Sequence, residues 1–158
     1  TVSVADEDGV DTLVRGQDLS AGRLQERLDA AGVLITYNGA QFDIPFLEHA
    51  FDLEIDLPHV DLRYPCQRVG LSGGLDGVEQ ALGIERSLPD VDGREAVALW
   101  HRYTAGDGDA LDRLIEYNRA DTRNLLAVLD AVHERLDQDV FAPHLPSTHP
   151  APGDDPVS

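Results

Sequence analysis

A single cysteine, a complete lack of lysine and the shortness of every apolar run each exclude something. Cys66 has no partner for an internal disulfide and cannot build a cysteine-based zinc cluster, so it reads more simply as a small core residue than as a nucleophile. No stretch approaches the roughly 20 consecutive apolar residues that span a bilayer, and no signal-peptide pattern opens the sequence; a cytoplasmic location is expected. The six histidines fall at no ligand spacing, and no internal repeat is present.

Without lysine, twelve arginines face 30 acidic residues, giving a net charge of −18 over 158 residues. A shell of that sign repels nucleic acid at low salt. In molar salt the Debye length falls to about 3 Å, and the repulsion hardly reaches a ligand. The composition therefore suits a halophilic host and does not exclude a polyanionic substrate; high genomic GC content is the other source of arginine in place of lysine.

The length suits one domain with its own core. Val2-Ser3-Val4, the turn signal Asp6-Glu7-Asp8-Gly9 and Thr12-Leu13-Val14 predict a β-hairpin. Ser20 is a candidate N-cap for a helix carrying Leu24 and Leu28 that ends near Gly32. Val33-Leu34-Ile35 is a buried strand too short for a helix, followed by a short helix with Phe46, Leu47 and Ala50 on one face. His59 to Leu62 is a further strand. From Pro65 onward the pattern is helical, broken at Gly70 to Gly77 and Ser87 to Gly93, with helices ending at Gly83, spanning Glu95 to Tyr103, and running from Ala110 to Leu136. Residues 1–141 form the expected domain. Residues 142–158, rich in proline and poor in apolar residues, form an expected disordered tail. Strands interleaved with helices and followed by helices alone predict an α/β or α+β sandwich.

Two aspartates stand in apolar settings, where a carboxylate must be paired, hydrogen-bonded or metal-bound. On the last helix Leu111, Leu114, Ile115, Leu125, Leu126, Val128, Leu129, Val132 and Leu136 form one core arc, and Asp121 is the one carboxylate inside it. Tyr117 precedes it by one turn. Asp121 is either held by a backbone amide or an arginine, or it binds a metal. Asp43 follows the buried strand, where ligands of open α/β sheets bind, yet Asp43-Ile44-Pro45 also reads as an N-cap. Asp61 makes either local backbone bonds or a contribution to the site. His133 sits at the margin of the core arc as a structural residue. Trp100 and Tyr103 read as core. Arg119 and Arg123 lie opposite Asp121, as phosphate contacts or as exposed salt bridges.

Asn38-Gly39-x-x-Phe42-Asp43-x-Pro45-Phe46-Leu47 resembles the second exonuclease motif of the DEDD superfamily of 3′→5′ exonucleases, and Tyr117-x-x-x-Asp121 resembles the third motif in its tyrosine-bearing (DEDDy) form. Between them, the runs from Leu75 to Ile84 and from Asp92 to Trp100 resemble a little-characterised prokaryotic branch of that superfamily. The resemblance implies a ribonuclease H-like α/β fold, three layers with a mixed sheet flanked by helices. It implies a two-metal-ion exonuclease acting on single-stranded DNA or RNA ends with Mg²⁺ or Mn²⁺. It makes Asp43 and Asp121 metal ligands, Tyr117 the residue that positions the attacking water, and Asn38 and Phe42 substrate contacts. It also implies an Asp-x-Glu pair on a first, central strand that this sequence does not supply. The alternative is a catalytically inactive domain of this fold retained for nucleic-acid or protein binding.

Overall fold

A computed structural model describes residues 1–6 and 8–140, and the expected tail from 142 onward lies outside them. Alternating residues build β1 (Val2–Asp6) and β2 (Gly9–Leu13), antiparallel with Val2 opposite Leu13 and Asp6 opposite Gly9. Their turn closes because Asp6 Oδ1 accepts from the backbone N–H groups of Asp8 and Gly9, with Gly9 at φ 140°. Ser20 caps α1 (Ala21–Asp29), its hydroxyl accepting from the Arg23 N–H, and Leu24 is the residue this helix buries.

The second pair of strands is parallel: β3 (Leu34–Thr36), one residue later than its apolar run predicts, lies beside β4 (His59–Asp61), with Leu34 opposite His59. Among the described residues no strand pairing joins β1–β2 to β3–β4. The result is a mixed α/β architecture with two small sheets and helices, consistent with a ribonuclease H-like fold.

Between β3 and β4 runs α2 (Asp43–Phe51), which differs from expectation in its packing: it buries no residue, and Phe46 and Ala50 of the predicted core face are exposed. A groove of about 300 Å³ runs along it, lined by Phe46, Ala50, Phe51, Val2, Leu19 and Trp100 among others, so the apolar stripe has neighbours but no cover. Short α3 (Arg63–Arg68) precedes α4 (Gly74–Leu82), which begins inside the expected glycine break. Glycine is required at 77, because a Cβ there would stand 2.7 Å from the Ser72 carbonyl oxygen. Gly83, at φ 70°, ends the helix in the left-handed region. Asp92 caps α5 (Gly93–Thr104) by accepting from the Arg94 and Glu95 N–H groups.

The last helix, α6 (Gly108–Val140), has 33 residues and, at 1.5 Å per residue, is about 50 Å long. It packs against the hairpin, α4 and α5. One core cluster joins Leu62, Cys66, Leu71 and Val78 to Val128 and Val132; the other joins Val91 and Leu99 to Ala110, Leu114 and Tyr117. Cys66 is fully buried, as its sequence setting suggests, and Trp100 and Tyr103 pack against the second cluster with their rings 5.5 Å apart. His133 is exposed, not structural core, because the arc of α6 that faces α4 passes through Val128 and Val132 and leaves it outside. Each fully buried large aliphatic side chain contributes about 1.5–3 kcal/mol. No helix among the described residues is long and apolar enough to cross a membrane.

Candidate active site

The loop after β3 is built around Asp61. This buried carboxylate at the end of β4 accepts from the backbone N–H groups of Asn38 (2.6 Å), Ala40 (3.1 Å) and Arg63 (3.1 Å), so one bond is local and two hold the loop after β3. Asn38 stands at φ 63°, a left-handed position that asparagine tolerates better than most residues. Its side-chain oxygen accepts from Arg63 Nη1 at 2.6 Å, and Gln41 Oε1 accepts from the same nitrogen at 2.9 Å. Gly39 donates to Thr36 Oγ1, and any Cβ at that position would collide with the Thr36 side chain. The Asn-Gly step is therefore fixed by backbone geometry: one residue needs positive φ and the next needs no side chain.

This loop delivers Phe42 and Asp43 to the surface. Phe42, not Asp43, is the N-cap of α2, and it makes no side-chain capping bond; Asp43 is the first helical residue. The capping role that its sequence context allows is therefore not taken up. Phe42 is 63% exposed. Asp43 is also exposed over much of its surface, yet its carboxyl is raised above the ordinary range, first by desolvation and then by the Asp61 charge, against a backbone N–H that favours ionisation.

A second group of charges lies where α4, the loop after it and α6 meet. Arg86 directs one guanidinium at three carboxylates: Asp76 at 2.7 Å, Glu79 at 3.2 Å and Asp121 at 3.8 Å. Glu79 has no exposed surface; its Oε1 accepts from Asn124 Nδ2 at 2.8 Å, and its Oε2, beside Arg86, has no hydrogen-bond partner. Burial raises the Glu79 carboxyl, Asn124 and Arg86 oppose this, and Asp76 adds to it.

Asp121 is partly buried, and its pKa is raised from 3.8 to about 6. Desolvation is the largest cause; a hydrogen bond from Tyr117 pulls the other way, Glu79 raises it, Arg86 lowers it and Asp76 raises it. Tyr117 is buried one turn earlier on α6. Its hydroxyl is made harder to ionise, first by desolvation and then by the charge of Asp121 and the hydrogen bond to it. Of the two readings of Asp121 left open by the sequence, the arginine contact is present, since Arg86 reaches it.

The structure thus brings Tyr117 to Asp121 and groups Asn38, Phe42 and Asp43 on one loop. The charges acting on Asp43 and Asp121 come from different groups, Asp61 in one case and Glu79, Arg86 and Asp76 in the other. Carboxylates are the right donors for a hard divalent cation. Among the described residues, however, no three His, Cys, Asp or Glu side chains form a group able to hold a metal ion, so these residues do not make a complete metal site by themselves. The sequence has one Asp-x-Glu triplet, Asp52-Leu53-Glu54, and it follows α2, with Asp52 as a left-handed C-cap, not on a strand.

Sequence reasoning missed Glu79 and Arg86 as members of the site. A signal existed for Glu79: it stands four residues after Leu75 and three before Leu82, both of which pack against the core, so the helical row places it inward. Nothing local marks Arg86, whose partners come from two other segments.

Comparison with known proteins follows the same lines. The RNase_H_2 model, of the RNase H superfamily, matches residues 1–133. No curated protein and no solved structure matches the chain.

Proposed function

The chain belongs to the RNase H superfamily, whose nucleases process nucleic acids and generally use divalent metals, and on that premise we propose that it serves in 3′→5′ exonucleolytic hydrolysis of single-stranded DNA or RNA ends. The observation that carries this reading is the Tyr117–Asp121 pair on α6, a buried phenol one turn before a partly buried carboxylate that Arg86 reaches at 3.8 Å, with burial holding that carboxyl above its ordinary range. In this reading Asp43 and Asp121 are two of the four carboxylates that hold Mg²⁺ or Mn²⁺, ions that when bound polarise the phosphodiester and activate water. Tyr117 orients Asp121 and presents a neutral hydroxyl donor, Asn38 shapes the loop through Arg63, and exposed Phe42 offers a ring face to a terminal base.

A second reading has an observation of its own. Arg86 already supplies positive charge to Asp76, Glu79 and Asp121, and a guanidinium among carboxylates does what a cation would do electrostatically. A catalytically inactive domain retained for nucleic-acid or protein binding fits that arrangement.

Incubating the chain, joined to a strand that bears the Asp-x-Glu pair, with 5′-labelled single-stranded DNA and RNA, in molar KCl with Mg²⁺ or Mn²⁺, separates the two. The exonuclease reading expects a ladder shortening from the 3′ end and its loss in Asp43→Asn and in Asp121→Asn. Absence of a ladder, or a ladder that survives the double substitution, overturns it.

A further inference from the structure

On the side of α6 away from Asp121 lies an open cleft of about 290 Å³, lined by Ser87 from the loop after α4 and by Asp112, Ile115, Glu116, Arg119 and Arg123 from the helix, among others. Its arginines are two of the seven, out of twelve, that meet no carboxylate among the described residues. Arg23, Arg27, Arg86, Arg102 and Arg113 each meet a carboxylate. Among the described residues Arg119 and Arg123 meet none, although acidic residues outnumber arginines by 30 to 12 and two acids share the cleft.

The two guanidiniums stand four residues apart on one helix, about 6 Å along its axis, where like charges repel. Arg119 is also anchored, its Nε donating to the buried Thr12 hydroxyl on β2 at 3.2 Å, so its charge is held over the cleft instead of reaching for Glu116. Paired arginines with a neighbouring serine hydroxyl have the chemistry of a phosphate-backbone contact. Asp112 and Glu116 precede the two arginines along the same helix, so the cleft carries both signs of charge.

From this we propose that Arg119, Arg123 and Ser87 form a binding site for the phosphodiester backbone of a single-stranded nucleic acid, separate from the Asp121 cluster. The site rests on the nucleic-acid reading given above but not on hydrolysis. At molar salt the −18 charge is screened to a few ångströms, and contact-range pairing of guanidinium with phosphate persists.

The test is fluorescence anisotropy of a labelled single-stranded oligonucleotide with the full chain, in EDTA so that nothing is cleaved, across a range of KCl. The expected result is at least tenfold weaker binding for Arg119→Gln/Arg123→Gln, with the salt slope shallower by about 1.4 for two lost phosphate contacts. Arg94→Gln, an exposed arginine outside the cleft, removes one unit of charge, as Arg123→Gln alone does, and should change binding by less than twofold. Arg123→Gln alone breaks no contact in the structure and keeps the test valid if the Arg119 change disturbs the hairpin. Equal weakening by Arg94→Gln and Arg123→Gln, or no weakening by either cleft variant, overturns the site. So does calorimetric binding of inorganic phosphate that depends on both arginines without any binding of the oligonucleotide, which would make this a free-anion site. Arginine-dependent binding without a hydrolytic ladder keeps this site and rejects the exonuclease reading; a ladder indifferent to both arginines does the reverse.

Discussion

Arg86 Nε lies 3.2 Å from Glu79 Oε2, the oxygen of a carboxylate with no exposed surface and no hydrogen bond at that atom. Removing the guanidinium strands a buried charge beside Asp76 and Asp121. Arg86→Ala is therefore expected to destabilise the fold by about 3–5 kcal/mol in urea titrations. Glu79→Leu combined with Arg86→Met removes both charges, and its loss should fall well short of the sum of the two single changes. Additive losses would mean that the pair does not act as a unit.

The raised pKa of Asp121 fixes the sign of a pH effect. A carboxyl that binds its proton more tightly when folded favours the folded state fully below its ordinary value of 3.8 and loses that contribution as pH rises through about 6. Asp121→Asn should accordingly raise stability at pH 7.5 by on the order of 2 kcal/mol, with the gap closing towards pH 4. Thermal midpoints of the two proteins across that window check it; a constant gap would show that Asp121 does not titrate as described.

Tyr117→Phe deletes the donor that helps Asp121 ionise. The Asp121 pKa should rise further above about 6 in a carboxyl-resolved NMR titration while the fold persists. If the chain or a longer form of it hydrolyses phosphodiesters, the rate should fall by at least tenfold, within the usual range for a positioned proton donor. An unchanged rate would take Tyr117 out of the mechanism.

Gly39→Ala places a methyl group against Thr36, whose hydroxyl both accepts from the Gly39 N–H and bonds His59 Nε2 at 2.9 Å. The expected cost is about 1–3 kcal/mol by urea titration, as for other overpacking changes. Little or no loss would mean that the loop yields easily and is not a rigid mount for Asp43.

Salt should stabilise this chain. With a net charge of −18, self-repulsion is strong at low ionic strength and is screened as KCl approaches molar levels. A thermal midpoint that climbs steadily with KCl is expected; a midpoint that is flat or falls would remove the halophilic reading of the composition.

The features legible in the sequence are those specified by near neighbours. The Asp6–Gly9 turn, the Ser20 cap, the strand at His59 and the inward Asp121 follow from local pattern, and each is found where the pattern puts it. Helix ends were less exact: α6 begins at Gly108 and extends to Val140, since terminal turns depend on caps such as Asp107, which accepts from the Ala110 N–H. Contacts between distant segments were not legible. Arg86 gathers partners from α4 and α6, and the open face of α2 depends on what other elements leave uncovered. The superfamily match bears out the ribonuclease H-like reading of the sequence, and the DEDD-type assignment stays part of the proposal above.

Of the helices and strands, α6 alone contributes buried residues to both core clusters, through Leu114 and Tyr117 in one and Val128 and Val132 in the other. Asp121 occupies the interval between them. A rigid rod seated in two sockets transmits any slip of one socket to whatever lies between, and here that is a carboxylate shared by a phenol and a guanidinium. The proton affinity of Asp121 therefore reports on how α6 sits against α4 and the loop that carries Arg86, the segments from which its charged neighbours come.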